Sequence, residues 1–470
     1  MNMHYRNFRF FSLVFALMLL LQLAACGNDT NNSNTNFPVV VFSDVHFNPY
    51  YDAKLFKQLV VADASQWAAI FKTSTLPEPS AFGSDANYPL FALALSSIKQ
   101  NLGESPLVIF TGDILVHSFS EQFYQNYSGN PTQTTPRNDA DVAAMKTFAD
   151  KTVAFFMDQV KASVGSIPVM FALGNNDSYD DTGPDSTFLA NTAELFYSKF
   201  LTGTVDHQEF LTSYKKGGYY AAELPGKNLM VIGLNTVEFS TYITTNNDAA
   251  VNAELAWFDA KLASAKASGK KVWLLMHVPP GADYYRTAKL ADSKGHIDAS
   301  SAIMMWKTAY QTGFLQTVAK YPGVIAMTLA GHTHMDEYRI LPSSEVVAIA
   351  PAISTRSGND PAFKVLTVAR DTLKSSDYLS LNYDLTAKPL QFTTYYRFST
   401  AYSVQGLLND SLTQLFPVFY TNSAKQALYR GYYYSGNNAL NSITDTNWPI
   451  YWCGIGNMGQ PDFIACVNSY

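Results

Sequence analysis

The chain has 470 residues, room for one large domain or two of ordinary size. Hydrophobic residues make up 47% against 15% charged, so a large core is available. The formal net charge of −6, with no basic cluster, argues against a nucleic-acid binder, which would carry a basic patch.

Arg6 and Arg9 precede an apolar run over residues 10–21, and Leu23-Ala24-Ala25-Cys26 follows. Residues 1–25 therefore read as a secretory signal. The Leu-Ala-Ala-Cys ending resembles a bacterial lipobox, which implies a diacylated Cys26 and a lipid anchor in a membrane. A plain signal with an incidental cysteine, or an uncleaved anchor, is the alternative. Residues 26–37 are mostly Asn, Thr, Ser and Asp and read as a flexible tether. Gly27 after the cysteine resembles outer-membrane sorting in Gram-negative lipoproteins, so an exported, periplasm-facing or surface location is expected.

Short apolar runs then end abruptly in polar residues. Residues 39–42 lead to Asp44, 107–110 to Asp113, 169–173 to Asn175, 229–232 to Asn235, 272–275 to His277 and 324–327 to His332. These runs predict buried strands. Apolar residues at three- and four-residue spacing predict helices over 91–102, 143–164 and 252–268. Strands alternating with helices predict an α/β layered sheet. Residues 118–139 are rich in Ser, Gln, Asn, Thr and Pro and read as a long loop. Strands over 346–349, 363–368 and 391–396 have no helices between them, which predicts a more antiparallel second half. From about residue 400 the pattern turns helical, over 404–416 and 423–433, and residues 400–470 form a small C-terminal helical subdomain. Tyr432, Tyr433 and Tyr434 read as packing residues. If Cys26 is acylated, Cys453 and Cys466 remain as a pair that an oxidising compartment would join; two buried thiols are the alternative.

The chemistry lies in the histidines. Five of the eight, His46, His117, His277, His332 and His334, follow predicted strands beside Asp, Asn or Gly. In open α/β sheets the carboxyl ends of strands line the ligand crevice. Imidazoles, carboxylates and an amide oxygen form a borderline donor set suited to zinc, iron or manganese.

The series Asp44-x-His46, Gly112-Asp113, Gly174-Asn175, His277 and Gly331-His332-Thr333-His334 resembles the calcineurin-like metallophosphoesterase signature. Three blocks resemble the acid sphingomyelinase-like branch: Gly112-Asp113-x-x-x-His117, His277-Val278-Pro279-Pro280-Gly281 and Gly331-His332-Thr333-His334-Met335-Asp336-Glu337. The segment from Ala350-Pro351 to Asn359-Asp360-Pro361, the C-terminal helices and the paired cysteines resemble it too. The likeness spans about residues 38–470. It implies a four-layer fold, two mixed sheets flanked by helices, with the catalytic domain over 38–399. It implies two divalent ions, zinc first, with manganese and iron as alternatives. Asp44, His46, Asp113 and His334 would hold one ion. Asp113, Asn175, His277 and His332 would hold the other, with Asp113 bridging. A bridging hydroxide would attack phosphorus in line. His117 would act on the leaving oxygen and Asp177 would orient its neighbours.

One position departs from the pattern. Where the family commonly has Gly-Asn-His, this chain has Gly174-Asn175-Asn176. Asn176 can hydrogen-bond a phosphate oxygen but cannot supply a proton, which leaves His117 as the acid. The expected activity is hydrolysis of a phosphodiester or phosphoanhydride in a nucleotide or in a phospholipid headgroup such as sphingomyelin. An endopolyphosphatase-like enzyme is the alternative, and a catalytically inactive surface-binding lipoprotein is the alternative of another class. A metalloprotease would need H-E-x-x-H spacing on a helix, which is absent.

Overall fold

The computed structural model describes residues 35–470, apart from residue 246. The expected signal over residues 1–25, Cys26 and nearly all of the expected tether lie outside the described residues. Among these, twelve strands are present: β1 (Asn36–Phe42), β2 (Val108–Phe110), β3 (Val169–Phe171), β4 (Tyr220–Glu223), β5 (Leu229–Gly233), β6 (Lys271–Leu275), β7 (Ile325–Ala330), β8 (Glu337–Ile340), β9 (Val346–Ile349), β10 (Ala362–Ala369), β11 (Ser375–Asn382) and β12 (Thr393–Arg397). They form two six-stranded sheets, ordered β12-β11-β10-β1-β2-β3 and β4-β5-β6-β7-β9-β8. β1, β2 and β3 run parallel, as do β5, β6, β7 and β9. β10–β12 pair antiparallel, and β8 returns antiparallel on β9. The expected change to antiparallel pairing in the second half is present.

Strand alternation assigns the layers. On β6, Trp273 and Leu275 join the large core that also takes in β1, β2, β3 and β10. Val272 and Leu274 face the other way, into a second core with Phe258, Leu262 and Phe314 from the helices Asp248–Ala267 and Thr308–Ala319. The helices Tyr88–Gln100 and Asp139–Val164 pack through Phe91 and Phe156, whose rings stack 5.1 Å apart. The result is the expected four-layer arrangement of two mixed sheets flanked by helices.

Two local expectations change. β1 begins at Asn36, and Phe37 is buried against Trp273, so the last two residues of the presumed tether belong to the sheet. Residues 118–139 are not all loop, because Phe119–Ser128 is a helix. Its Phe119, Phe123 and Tyr124 are buried at helical spacing within a polar sequence. The C-terminal helices are Phe398–Tyr402, Leu408–Thr421, Ser423–Tyr432, Trp448–Gly456 and Gln460–Asn468. They pack on β8, β9 and β11. Cys453 and Cys466 are disulfide-bonded, as expected for an oxidising compartment. No helix among the described residues is long and apolar enough to cross a membrane.

Candidate metal centre and substrate cleft

Five of the parallel strands, drawn from both sheets, deliver polar residues to one site. β1 leads to Asp44 and His46, β2 to Asp113 and β3 to Asn175; β6 leads to His277 and β7 to His332 and His334. Five of these seven leave the strand through left-handed backbone: Asp44 (φ 47°), His46 (45°), Asp113 (63°), His332 (74°) and His334 (67°). That region is disfavoured for side-chain-bearing residues, by roughly 1–3 kcal/mol each, and persists only where the surroundings fix it. Here they do. Asp44 N–H donates to Gly112 O (2.9 Å), His46 N–H to Asp113 O (3.1 Å) and Ala352 N–H to His334 O (3.1 Å). Gly174 and Gly331 permit the close approach, since a Cβ on either would collide with the carboxylate of Asp113 or Asp44.

The seven side chains converge in two linked groups. In the first, His46 Nε2 lies 3.1 Å from His334 Nε2, and His334 Nε2 lies 3.4 Å from Asp44 Oδ1. In the second, His277 Nε2 lies 3.2 Å from Asn175 Oδ1, which is 2.9 Å from His332 Nδ1. Asp113 Oδ2 joins them, 3.4 Å from His46 Nε2 and 3.2 Å from His277 Nε2. Outer hydrogen bonds orient the rings. His46 Nδ1 contacts Leu115 O (3.1 Å), His277 Nδ1 contacts Thr111 O (2.7 Å) and His334 Nδ1 contacts Ser357 Oγ (3.1 Å). An imidazole that donates through Nδ1 to a carbonyl presents its Nε2 lone pair inward.

Burial governs the electrostatics. It lowers His46 to about 4 and His332 to about 3, and it holds His334 well below the ordinary imidazole value. Burial also raises Asp44 to about 6, helped by the charge of Asp113. Burial would raise Asp113 too, but the charges of His277 and His46 hold it well below the usual carboxylate range. His277 is the exception among the rings: burial lowers it, yet Asp113 and Asp44 raise it to about 9. A proton on His277 thus supplies positive charge that the two carboxylates demand. Imidazole, carboxylate and amide-oxygen donors in this mixture fit borderline divalent ions.

The remaining predicted residues surround this centre. The His117 ring stacks on His46 with centroids 3.9 Å apart, and the rings of His46, His117 and His334 each place a nitrogen within 4.8 Å of the others. The sequence expectation for Asn176 is a hydrogen bond to a phosphate oxygen. Its backbone N–H and its Nδ2 donate to Asp113 at 2.8 and 3.0 Å. Asp177 is fully buried and accepts from the backbone N–H groups of Asp113 (3.1 Å), Ile114 (2.7 Å) and Gly174 (2.8 Å). Burial and then Asp113 raise it to about 7.

Asp85 escaped the sequence reading. Its Oδ1 accepts from His117 Nδ1 at 3.0 Å and from Ser354 Oγ at 2.9 Å. Burial acts to raise Asp85, but the His117 bond and the His46 charge outweigh it and leave the carboxyl below its ordinary value. No motif marks it, because it lies 32 residues before its partner and outside any helix or strand.

A cleft of about 460 Å³ opens beside the centre, lined by His117, His332 and His334 on one side. Tyr284, Tyr433, Tyr434 and Tyr451 form another side, and Tyr242 and Tyr285 stand half exposed among the lining residues. Tyr433 and Tyr434, expected only to pack, therefore line the cleft. Tyr432 does pack, stacking on Tyr396 at 3.9 Å. Asp283 also lines it, accepting from Tyr242 OH at 3.1 Å. His207 and His296 are exposed surface residues.

A family model for calcineurin-like phosphoesterases matches residues 37–336. The cyclic GMP-AMP phosphodiesterase SMPDL3A of Mus musculus is 24% identical over 450 residues, 91% of each chain. Sphingomyelin phosphodiesterase B of Dictyostelium discoideum is 23% identical over 413 residues, 82% of this chain and 57% of that one. Among solved structures, a dimetal phosphatase from Danio rerio aligns over 77% of this chain and 99% of its own, with a TM-score of 0.43 and 12% identity.

Proposed function

This chain belongs to the calcineurin-like phosphoesterase family, and we propose that it is a two-ion phosphodiesterase of nucleotides or of phospholipid headgroups. Its metal-dependent phosphodiester chemistry follows from the family. The observation that carries the two-ion reading is Asp113 Oδ2, placed within 3.4 Å of His46 and within 3.2 Å of His277. Asp44, His46, Asp113 and His334 would hold one ion and Asp113, Asn175, His277 and His332 the other. Zinc is the first choice for these donors, with manganese or iron behind it. Bound ions supply Lewis acidity toward the phosphoryl group and activate water near neutral pH.

The protein's own part is positioning. Asn176 and Asp177 grip Asp113 and its loop through side-chain and backbone hydrogen bonds. Asp85 takes His117 Nδ1 and holds the ring beside those of His46 and His334. From there Nε2 gives a proton to the leaving oxygen. The tyrosines of the cleft offer flat faces for the rest of the substrate. The nucleotide reading is favoured by the relative named a cyclic GMP-AMP phosphodiesterase, which matches along 91% of its length. We also propose acylation at Cys26, which would hold the enzyme at a membrane after export; labelling with a fatty-acid analogue tests it, and a Cys26→Ala chain that still labels would refute it.

Phosphorus NMR on the metal-loaded chain from Phe37 onward tests the activity. Loss of cyclic dinucleotide or ATP signals with sphingomyelin untouched is the expected result. Phosphocholine release would move the substrate to the lipid headgroup. No turnover of any phosphodiester with metal bound would overturn the proposal.

A further inference from the structure

Three arginines line the cleft. Arg339 is buried and donates to Pro280 O and Ala282 O, and the surroundings of the other two differ. Arg286 lies over the Tyr242 ring, 5.2 Å from its centroid, and Tyr242 OH bonds Asp283. Its charge is thus met by an aromatic face and a nearby carboxylate. Arg356 stands at the His117 end. Its half-exposed guanidinium approaches Asp85 Oδ2 only to 4.0 Å, beyond hydrogen-bond distance. That carboxylate already accepts from His117 Nδ1 and Ser354 Oγ. One carboxylate therefore faces an imidazole and a guanidinium together.

The backbone that carries Arg356 is fixed to the centre. Ala352 N–H donates to His334 O, Ser354 N–H to Asp44 O, and Thr355 Oγ1 to Ala81 O at 2.7 Å. The anchored Cα confines the reach of the side chain to the cleft that His117 also lines.

We propose that Arg356 sets leaving-group specificity: it receives a leaving group that carries its own negative charge, the phosphate of a phosphoanhydride. This rests on the two-ion reading above. Water oxygen bonds to phosphorus and gives up a proton to solvent, the bond from phosphorus to the leaving oxygen breaks, and the electron pair stays on that oxygen. A leaving phosphate keeps the pair as an anion, which a guanidinium matches in charge and fork geometry. An alkoxide must instead take a proton from His117. Arg356 therefore acts where His117 is needed least, and the chain can serve anhydrides despite having Asn176 where an acid is common.

The test compares metal-loaded wild type with Arg356→Gln and Arg356→Lys on ADP and on bis(4-nitrophenyl) phosphate. Loss of a charge-assisted hydrogen bond predicts that Arg356→Gln lowers the ratio of kcat/KM for ADP over that for the diester by about 10- to 100-fold. Arg356→Lys should recover part of that ratio. Equal losses on both substrates, or an unchanged ratio, would overturn the inference. If wild type cleaves the diester but not ADP, this inference fails and the two-ion reading stands. If it cleaves neither, both fail.

Discussion

The floor and the tyrosine wall of the cleft meet at Asp336, whose N–H bonds the carbonyl of Tyr433 at 3.0 Å, yet different forces hold them. The floor is a set of buried imidazoles and carboxylates on left-handed backbone. Hydrogen bonds between loops keep it in place, and its charges are balanced only in part. The wall is aromatic packing: Tyr451 touches Tyr284 and Tyr433 at centroid distances of 5.8 and 5.3 Å. A disulfide two residues beyond Tyr451 fastens its helix to the last helix. The floor is organised for chemistry at a local expense in backbone strain, and the wall is organised for shape and stability. Changes to the floor should therefore act on turnover and metal content. Changes to the wall should act on unfolding and on substrate fit.

The largest separation should come from Asp113→Asn. It removes charge from the one atom shared by both groups, and turnover should fall about 10³-fold or more, the scale of several kcal/mol of lost charge stabilisation. Metal content by mass spectrometry should fall with it; full loading and activity would break the assignment of Asp113 as the shared ligand. Next, replacing Cys453 and Cys466 together by Ala opens a loop with a sequence separation of 13. About 3 kcal/mol of stability should be lost, read as a lower guanidinium midpoint, while metal content holds. Loss of metal instead would show that wall and floor are not separable. Asp85→Asn should slow alkyl diesters about tenfold and nitrophenyl diesters less, because only the former need His117 well oriented. Equal slowing would reduce Asp85 to a packing role.

The smallest effect sharpens the electrostatics of the floor. His277 is raised to about 9 in the metal-free protein, above its ordinary 6.5. It is therefore protonated at pH 7, and a metal must displace that proton. Calorimetry in buffers of different ionisation enthalpy should find about one proton released on metal binding at pH 7. The release should vanish as pH rises through 9, and metal affinity should weaken as pH falls below it. A release independent of pH would contradict the raised His277.

The sequence discloses the floor far better than the wall. Asp44, His46, Asp113, Asn175, His277, His332 and His334 each follow an apolar run by a few residues, so local pattern alone marks them, and the structure gathers them. Their roles toward metal rest on the proposed chemistry. Asp85 is invisible because its importance arises from a contact across the fold. β11, Ser375–Asn382, was missed because Ser, Asp and Asn outweigh its Tyr378 and Leu381. The helix Phe119–Ser128 was missed for the same reason: its polar composition masked buried residues four and five positions apart. Tyr433 and Tyr434 could not be told from packing residues, since which face of a tyrosine cluster meets a cavity is settled only when Tyr284 and Tyr451 arrive beside it.

The left-handed ligand positions carry a consequence for descent. Glycine takes that backbone freely, so His332→Gly or His334→Gly would relax the fold at the same step that removes a proposed metal donor. Drift in a lineage that stopped needing the reaction would run toward sturdier, inert relatives.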